Sequence, residues 1–228
     1  MRIAALALTA VAGLAAAHAA QAGIVYNNLA VGTATIAGYT EPNTNNPIYG
    51  DQLNMTSGGT LSTVGFTIFN SSTGNTGAIL TGSVVLKFYD NTTPYAGGAI
   101  TNPLLGTTTV TVNFGAGLNA GFFSTVTTND LSALNILLTQ NILITQQFTQ
   151  LTGTSNNNGV VLKGDPTVGT SPNNVYISSS ATASNSYTFG GTAANSQFGY
   201  TITTTPAPGA AGLAGIAGLV ALRRRRSR

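Results

Sequence analysis

Between residues 24 and 202 apolar side chains recur mostly at every second position, and no long stretch keeps the 3.6-residue period of an amphipathic helix. Val64, Phe66 and Ile68 alternate with polar or small residues, while Leu61 falls out of phase and predicts a bulge near Ser62. The clearest strand runs over 80–90: Leu80, Val84, Leu86 and Phe88 share one face, and Gly82 leaves a gap in it. Ser83, Val85, Lys87 and Tyr89 share the other face. Further on, Val110, Val112 and Phe114 alternate against Thr109, Thr111 and Asn113, and a strand follows over 122–126. The stretch 134–148 is dense in Leu and Ile. Its start allows a helix, whereas Ile142, Ile144, Gln146 and Phe148 are spaced as a strand. Shorter runs at 24–26, 34–39, 160–162, 175–177, 187–189 and 198–202 complete the set. Segments 41–51, 155–159 and 178–186 read as loops from their Pro, Asn, Gly and Ser content.

Many short strands with one apolar face each predict an all-β fold. The expectation is an antiparallel two-sheet β-sandwich, jelly-roll or Ig-like, over residues 23–202. Its wet faces carry Thr, Ser and Asn where most proteins place Lys and Glu. Charge normally blocks edge-to-edge pairing of sheets, so these strands are poorly guarded against association. Such a design suits a protein that assembles in a matrix.

The two ends break this pattern. Residues 1–22 hold one arginine, an apolar run and then small residues, the order of a secretory signal peptide with a helical core. Ala20-Gln21-Ala22 fits a small-x-small cleavage site before Gly23, and Ala17-His18-Ala19 is an alternative. At the other end, residues 203–208 form a spacer of three threonines followed by Pro206-Ala207-Pro208. Residues 209–222 are apolar and uncharged, with glycine at every third position from Gly209 to Gly218. This predicts a short membrane helix. Arg223, Arg224, Arg225, Arg226 and Arg228 then form a stop that would stay in the cytoplasm by the positive-inside rule. With an exported N-terminus, the body lies outside the cell.

Placing the charges changes the meaning of the net +3. Outside the two ends only Lys87 and Lys163 are basic, against Glu41, Asp51, Asp90, Asp130 and Asp165, so the body carries a net −3. Phosphate recognition needs clustered Lys and Arg, which the body lacks, so nucleic acid is not an expected partner. Cysteine is absent and the single histidine, His18, lies in the leader. Disulfides, thiolate chemistry and histidine catalysis are thereby excluded from the processed chain. Lys87 sits on a polar strand face and is more simply a solvated lysine than a buried base. Glu41 and Asp51 flank one segment and are the acid pair closest in sequence, the minimum a glycoside hydrolase would need. Asp51, Asp90 and Asp130, with neighbouring Asn residues, are candidate calcium ligands, although Asx turns explain them as well. Tyr39, Tyr49, Tyr89 and Tyr95 are candidates for stacking on sugar rings, against the alternative of packing at a sheet edge. No cofactor is expected.

The three-part tail resembles the PEP-CTERM sorting signal of diderm bacteria, in which a Pro-x-Pro element precedes a membrane segment and a terminal arginine cluster. Ala207 stands where that family usually has Glu. The resemblance implies two processing partners, signal peptidase and an exosortase-like membrane enzyme, in a cell that makes exopolysaccharide. The body also resembles the Thr/Asn/Gly-rich sandwich domains that such signals accompany, through FYDNTTP at 88–94 and the 131–148 stretch. The expectation is a non-enzymatic surface or extracellular-matrix protein, possible partner of extracellular polysaccharide. The alternative is a carbohydrate-binding module with an exposed Tyr platform, and after it a glycoside hydrolase.

Overall fold

The computed structural model describes residues 22–30, 35–39, 47–71, 77–154, 158–172, 175–178, 185–187 and 196–206. The leader, the 209–222 segment, the arginines, Ala207 and Pro208 lie outside the described residues. Among those described, no helix is long and apolar enough to cross a membrane.

Two antiparallel sheets pack face to face. One is ordered β1 (Gly23–Asn27), β14 (Tyr200–Thr205), β4 (Gly59–Asn70), β10 (Asn158–Lys163) and β13 (Gln197–Phe198). β2 (Thr35–Tyr39) joins it on β10, and β7 (Phe123–Thr127) and β8 (Leu137–Leu138) join it on β4. The second sheet is ordered β12 (Asn185–Tyr187), β11 (Val175–Ser178), β3 (Ile48–Asn54), β9 (Asn141–Gly153), β5 (Ala78–Asp90) and β6 (Leu104–Asn119). A single 3-10 turn, Ser132–Leu134, is the helical element described. The 134–148 stretch is therefore extended nearly throughout.

The core lies between the sheets. Val64, Phe66 and Ile68 of β4 face Val84, Leu86 and Phe88 of β5 and Ile142, Ile144 and Phe148 of β9 within one buried cluster. β14 pairs Thr203 with Thr63 but Thr204 with Leu61, so Ser62 is the extra residue of a bulge. That bulge turns Leu61 back into the core. A second irregularity reverses an expectation. β5 loses register on both sides between Ile79 and Thr81, so Ile79 is buried and Leu80 is 42 % exposed.

The segment 41–51 is not a loop to its end, because β3 begins at Ile48. Tyr49, Asp51 and Leu53 point into the core, while Ile48, Gly50 and Gln52 take the alternate face. Both ends of the domain leave from one place: Gly23 pairs with Thr204 across β1 and β14.

Candidate functional site

The outer face of the second sheet carries a small cluster of its own. Tyr95, Leu143 and Tyr176 are buried there, with Ile48, Tyr89 and Ile100 packed against them. The cross-strand register sets Lys87 beside Thr145, Thr145 beside Gly50, and Gly50 beside Tyr176. One step along, Val85, Gln147 and Ile48 line up in the next row. Glycine at position 50 keeps the row low in its middle. A Cβ there would lie 3.0 Å from Thr145 Cγ2 and 3.2 Å from Tyr176 Cβ. The result is a groove of ≈ 180 Å³, walled by Tyr89, Tyr176, Ile48 and Ile100 and polar at Lys87, Thr145 and Gln147.

The loop 91–103 forms one wall and is held by amides. Asn91 Nδ2 donates to Gln52 Oε1 at 2.9 Å, Gln52 Nε2 to Tyr95 O at 3.2 Å, and Tyr95 N to Asn91 Oδ1 at 2.8 Å. Asn102 Nδ2 closes the loop on Asp90 O and Thr93 O, both at 2.9 Å. Tyr95 then meets Tyr176 edge to face, ring centres 5.6 Å apart. Burial, opposed in part by a hydrogen bond to Thr145, holds the Tyr89 phenol above its ordinary range.

This arrangement suits an amphipathic ring: apolar and aromatic walls for its face, and an ammonium, an amide and a hydroxyl for its edge.

No family model, curated protein or solved structure matches this chain.

The structure sorts the tyrosine candidates. Tyr89 lines the groove, and Tyr95 supports it from beneath the loop. Tyr49 does not belong to any surface: it is fully buried, edge-to-face with Phe148 and Phe198, and its hydroxyl donates to Asn158 O at 3.3 Å. Its phase on β3 points inward, which excludes stacking on a sugar. The side chain of Tyr39 lies outside the described residues. Tyr176, Gln147 and Lys87 complete the groove. They were not grouped by sequence because they come from β11, β9 and β5, and only the register brings them together.

Glu41 lies outside the described residues, and among those described the acids do not converge. Among the described residues no three groups of His, Cys, Asp or Glu lie close enough to hold a metal ion. Asp90 accepts from Thr92 N at 3.0 Å, Thr92 Oγ1 at 2.7 Å and Thr139 Oγ1 at 3.0 Å. Asp130 accepts from Ser132 N at 3.0 Å and Ser132 Oγ at 2.9 Å. These hydrogen bonds lower both carboxyl groups from their ordinary range. Both are Asx-type turns.

Asp51 is the exception in environment. It is fully buried on the inner face of β3. Its Oδ1 accepts from Ser171 Oγ at 3.0 Å and its Oδ2 from Phe198 N at 3.0 Å. Desolvation raises its pKa well above the ordinary value, more than these bonds lower it. Tyr26 and Tyr200 are raised by their own burial first and by proximity to Asp51 next. The carboxyl ties the second sheet to β13 of the first, and neither a substrate nor a hydrated cation reaches it. As a loop acid of a calcium site, or as one of a hydrolytic pair, Asp51 is excluded by this burial.

Proposed function

We propose that the chain is a non-catalytic, exported surface or extracellular-matrix protein, delivered by its leader and its PEP-CTERM-like tail. The observation that carries this reading is the chemistry of its accessible strands. Along the middle of β6, from Leu105 to Phe114, the exposed positions are Thr107, Thr109, Thr111 and Asn113, with no charge anywhere in the strand. Hydroxyl and amide faces of this kind suit contact with hydrated polymer and with other copies, and they do no proton chemistry at neutral pH. The adjacent exits of Gly23 and Thr204 support the delivery route. A leader and a tail that were both in the membrane would tether the sandwich by one end. Cleavage before Gly23 would remove nothing from β1, and cleavage after Thr205 would remove nothing from β14.

The outer groove favours a second reading, a saccharide-binding module. In this reading the half-buried Tyr89 forms the platform, the buried Tyr176 shapes the wall, and Lys87 and Gln147 contact the ring edge. Retention of the processed protein on a panel of polysaccharides tests both. Equal, weak retention across the panel supports the scaffold. Selective retention of one polymer, lost in Tyr89→Ala and Lys87→Ala, supports the module and overturns the scaffold as the main role.

A further inference from the structure

Among the described residues seven large apolar side chains are exposed, and five of them are Leu104, Phe122, Phe123, Leu134 and Leu137. All five lie on or next to β6, β7, the 3-10 turn and β8. These elements run along one side of the sandwich. β6 is the last strand of its sheet, and β7 and β8 flank β4 in the other. Gly106 of β6 sits against Ile136, just before β8, where a Cβ would come within 2.7 Å of Ile136 Cγ1.

Among the described residues β6 pairs with β5 alone, in unbroken register from Gly106 opposite Phe88 to Asn113 opposite Thr81. In an antiparallel strand half of the main-chain N–H and C=O groups point to the other side. The usual guards of such an edge are lysine, proline or a bulge within it. From Gly106 to Asn113 there is none, and Asp130 is the only charge between 104 and 140. Register is lost at both ends of this span: between Gly106 and Leu104, and beyond Asn113, where Gly115 and Gly117 have φ of 56° and 102°.

The apolar side chains mark the ends of this edge. At one end Gly106, two residues after the exposed Leu104, sits against Ile136, which the exposed Leu134 and Leu137 flank in the chain. Phe114, Phe122 and Phe123 border a shallow hollow of ≈ 340 Å³ at the other. A two-fold axis at Thr109 would lay the leucine end of one copy against the phenylalanine end of the next. Thr109 would then stand opposite Thr109 and Thr107 opposite Thr111, with no like charges to repel.

The geometry points to a symmetric dimer in which β6 pairs antiparallel with β6 of a second copy, joining two six-stranded sheets into one. This rests on the scaffold reading and names its partner. The main-chain edge supplies the attraction, the uncharged face permits it, and the two apolar ends fix its centre.

Sedimentation of the processed protein at micromolar concentration is the test. The wild type runs as a dimer. Thr109→Lys and Thr111→Lys weaken self-association at least tenfold without changing the thermal unfolding midpoint, and Ser57→Lys, exposed and off the edge, leaves it unchanged. Because the chain has no cysteine, Thr109→Cys, which faces its own copy across the axis, yields a disulfide-linked dimer on oxidation. A wild type that is monomeric throughout overturns the proposal. So does a dimer that neither lysine weakens and that Thr109→Cys does not trap. An open-ended series of sizes that the lysines disperse overturns the two-fold symmetry. Polysaccharide retention does not depend on this edge, so a failure here is separate from a failure of the scaffold reading.

Discussion

Replacing Asp51 with asparagine isolates the most unusual electrostatic feature of the core. The ordinary carboxyl value is 3.8, and burial raises that of Asp51 well above it in the folded protein. At a pH between those two values the native state holds a proton that the unfolded chain has released. Stability therefore falls as pH rises through that window, by up to about 1.4 kcal/mol per pH unit from this one group. Asp90 and Asp130 are lowered, so they act on the other side. Their contribution is present above the ordinary value and is lost as pH falls below it. The wild type should then be most stable close to pH 4. Asp51→Asn keeps the shape of the site. Its Oδ1 can accept from Phe198 N and its Nδ2 can donate to Ser171 Oγ, whose own proton has Pro172 O at 3.2 Å. Urea unfolding followed by tyrosine fluorescence from about pH 3 to about pH 8 measures both proteins. The expected result is a wild-type stability that declines above about pH 4 and a variant stability that does not, so that the variant is the more stable at neutral pH. Parallel profiles for the two proteins above pH 4 would refute the burial argument.

Other consequences follow from packing. Gly153→Ala puts a Cβ against Ala78 O at a residue with φ of 117°, and should cost about 2 kcal/mol or more in urea unfolding. Tyr49→Ala empties the contacts with Phe148 and Phe198 and should cost about 3–5 kcal/mol. In an alkaline titration read by ultraviolet absorbance, Tyr26 and Tyr200 should stay protonated beyond the ordinary phenol value of 10.0 until the protein unfolds. Complete titration of all eight tyrosines with the fold intact would contradict their burial.

Much of the fold is legible in the sequence where one strand carries its own signal. The face of Val84, Leu86 and Phe88, and the bulge at Ser62, follow from period-two spacing and one residue out of phase. Leu80 misleads because the register break between Ile79 and Thr81 leaves no mark in the pattern. β3 is hidden by the Pro and Asn residues before it, by Gly50 within it, and by an acid at the inward position between Tyr49 and Leu53. What makes that acid tolerable is distant in the chain: Ser171 Oγ and Phe198 N are 120 and 147 residues away. The groove is hidden for the same reason. Lys87, Gln147 and Tyr176 become neighbours only once β5, β9, β3 and β11 are in register.

The central claim concerns delivery to the outside of the cell, and the intact mass of the protein in each cell fraction tests it most directly. The expected result is a surface or extracellular chain that begins at Gly23 and lacks residues 209–228. Recovery of the full-length chain, leader and arginines included, from the cytoplasm would contradict it.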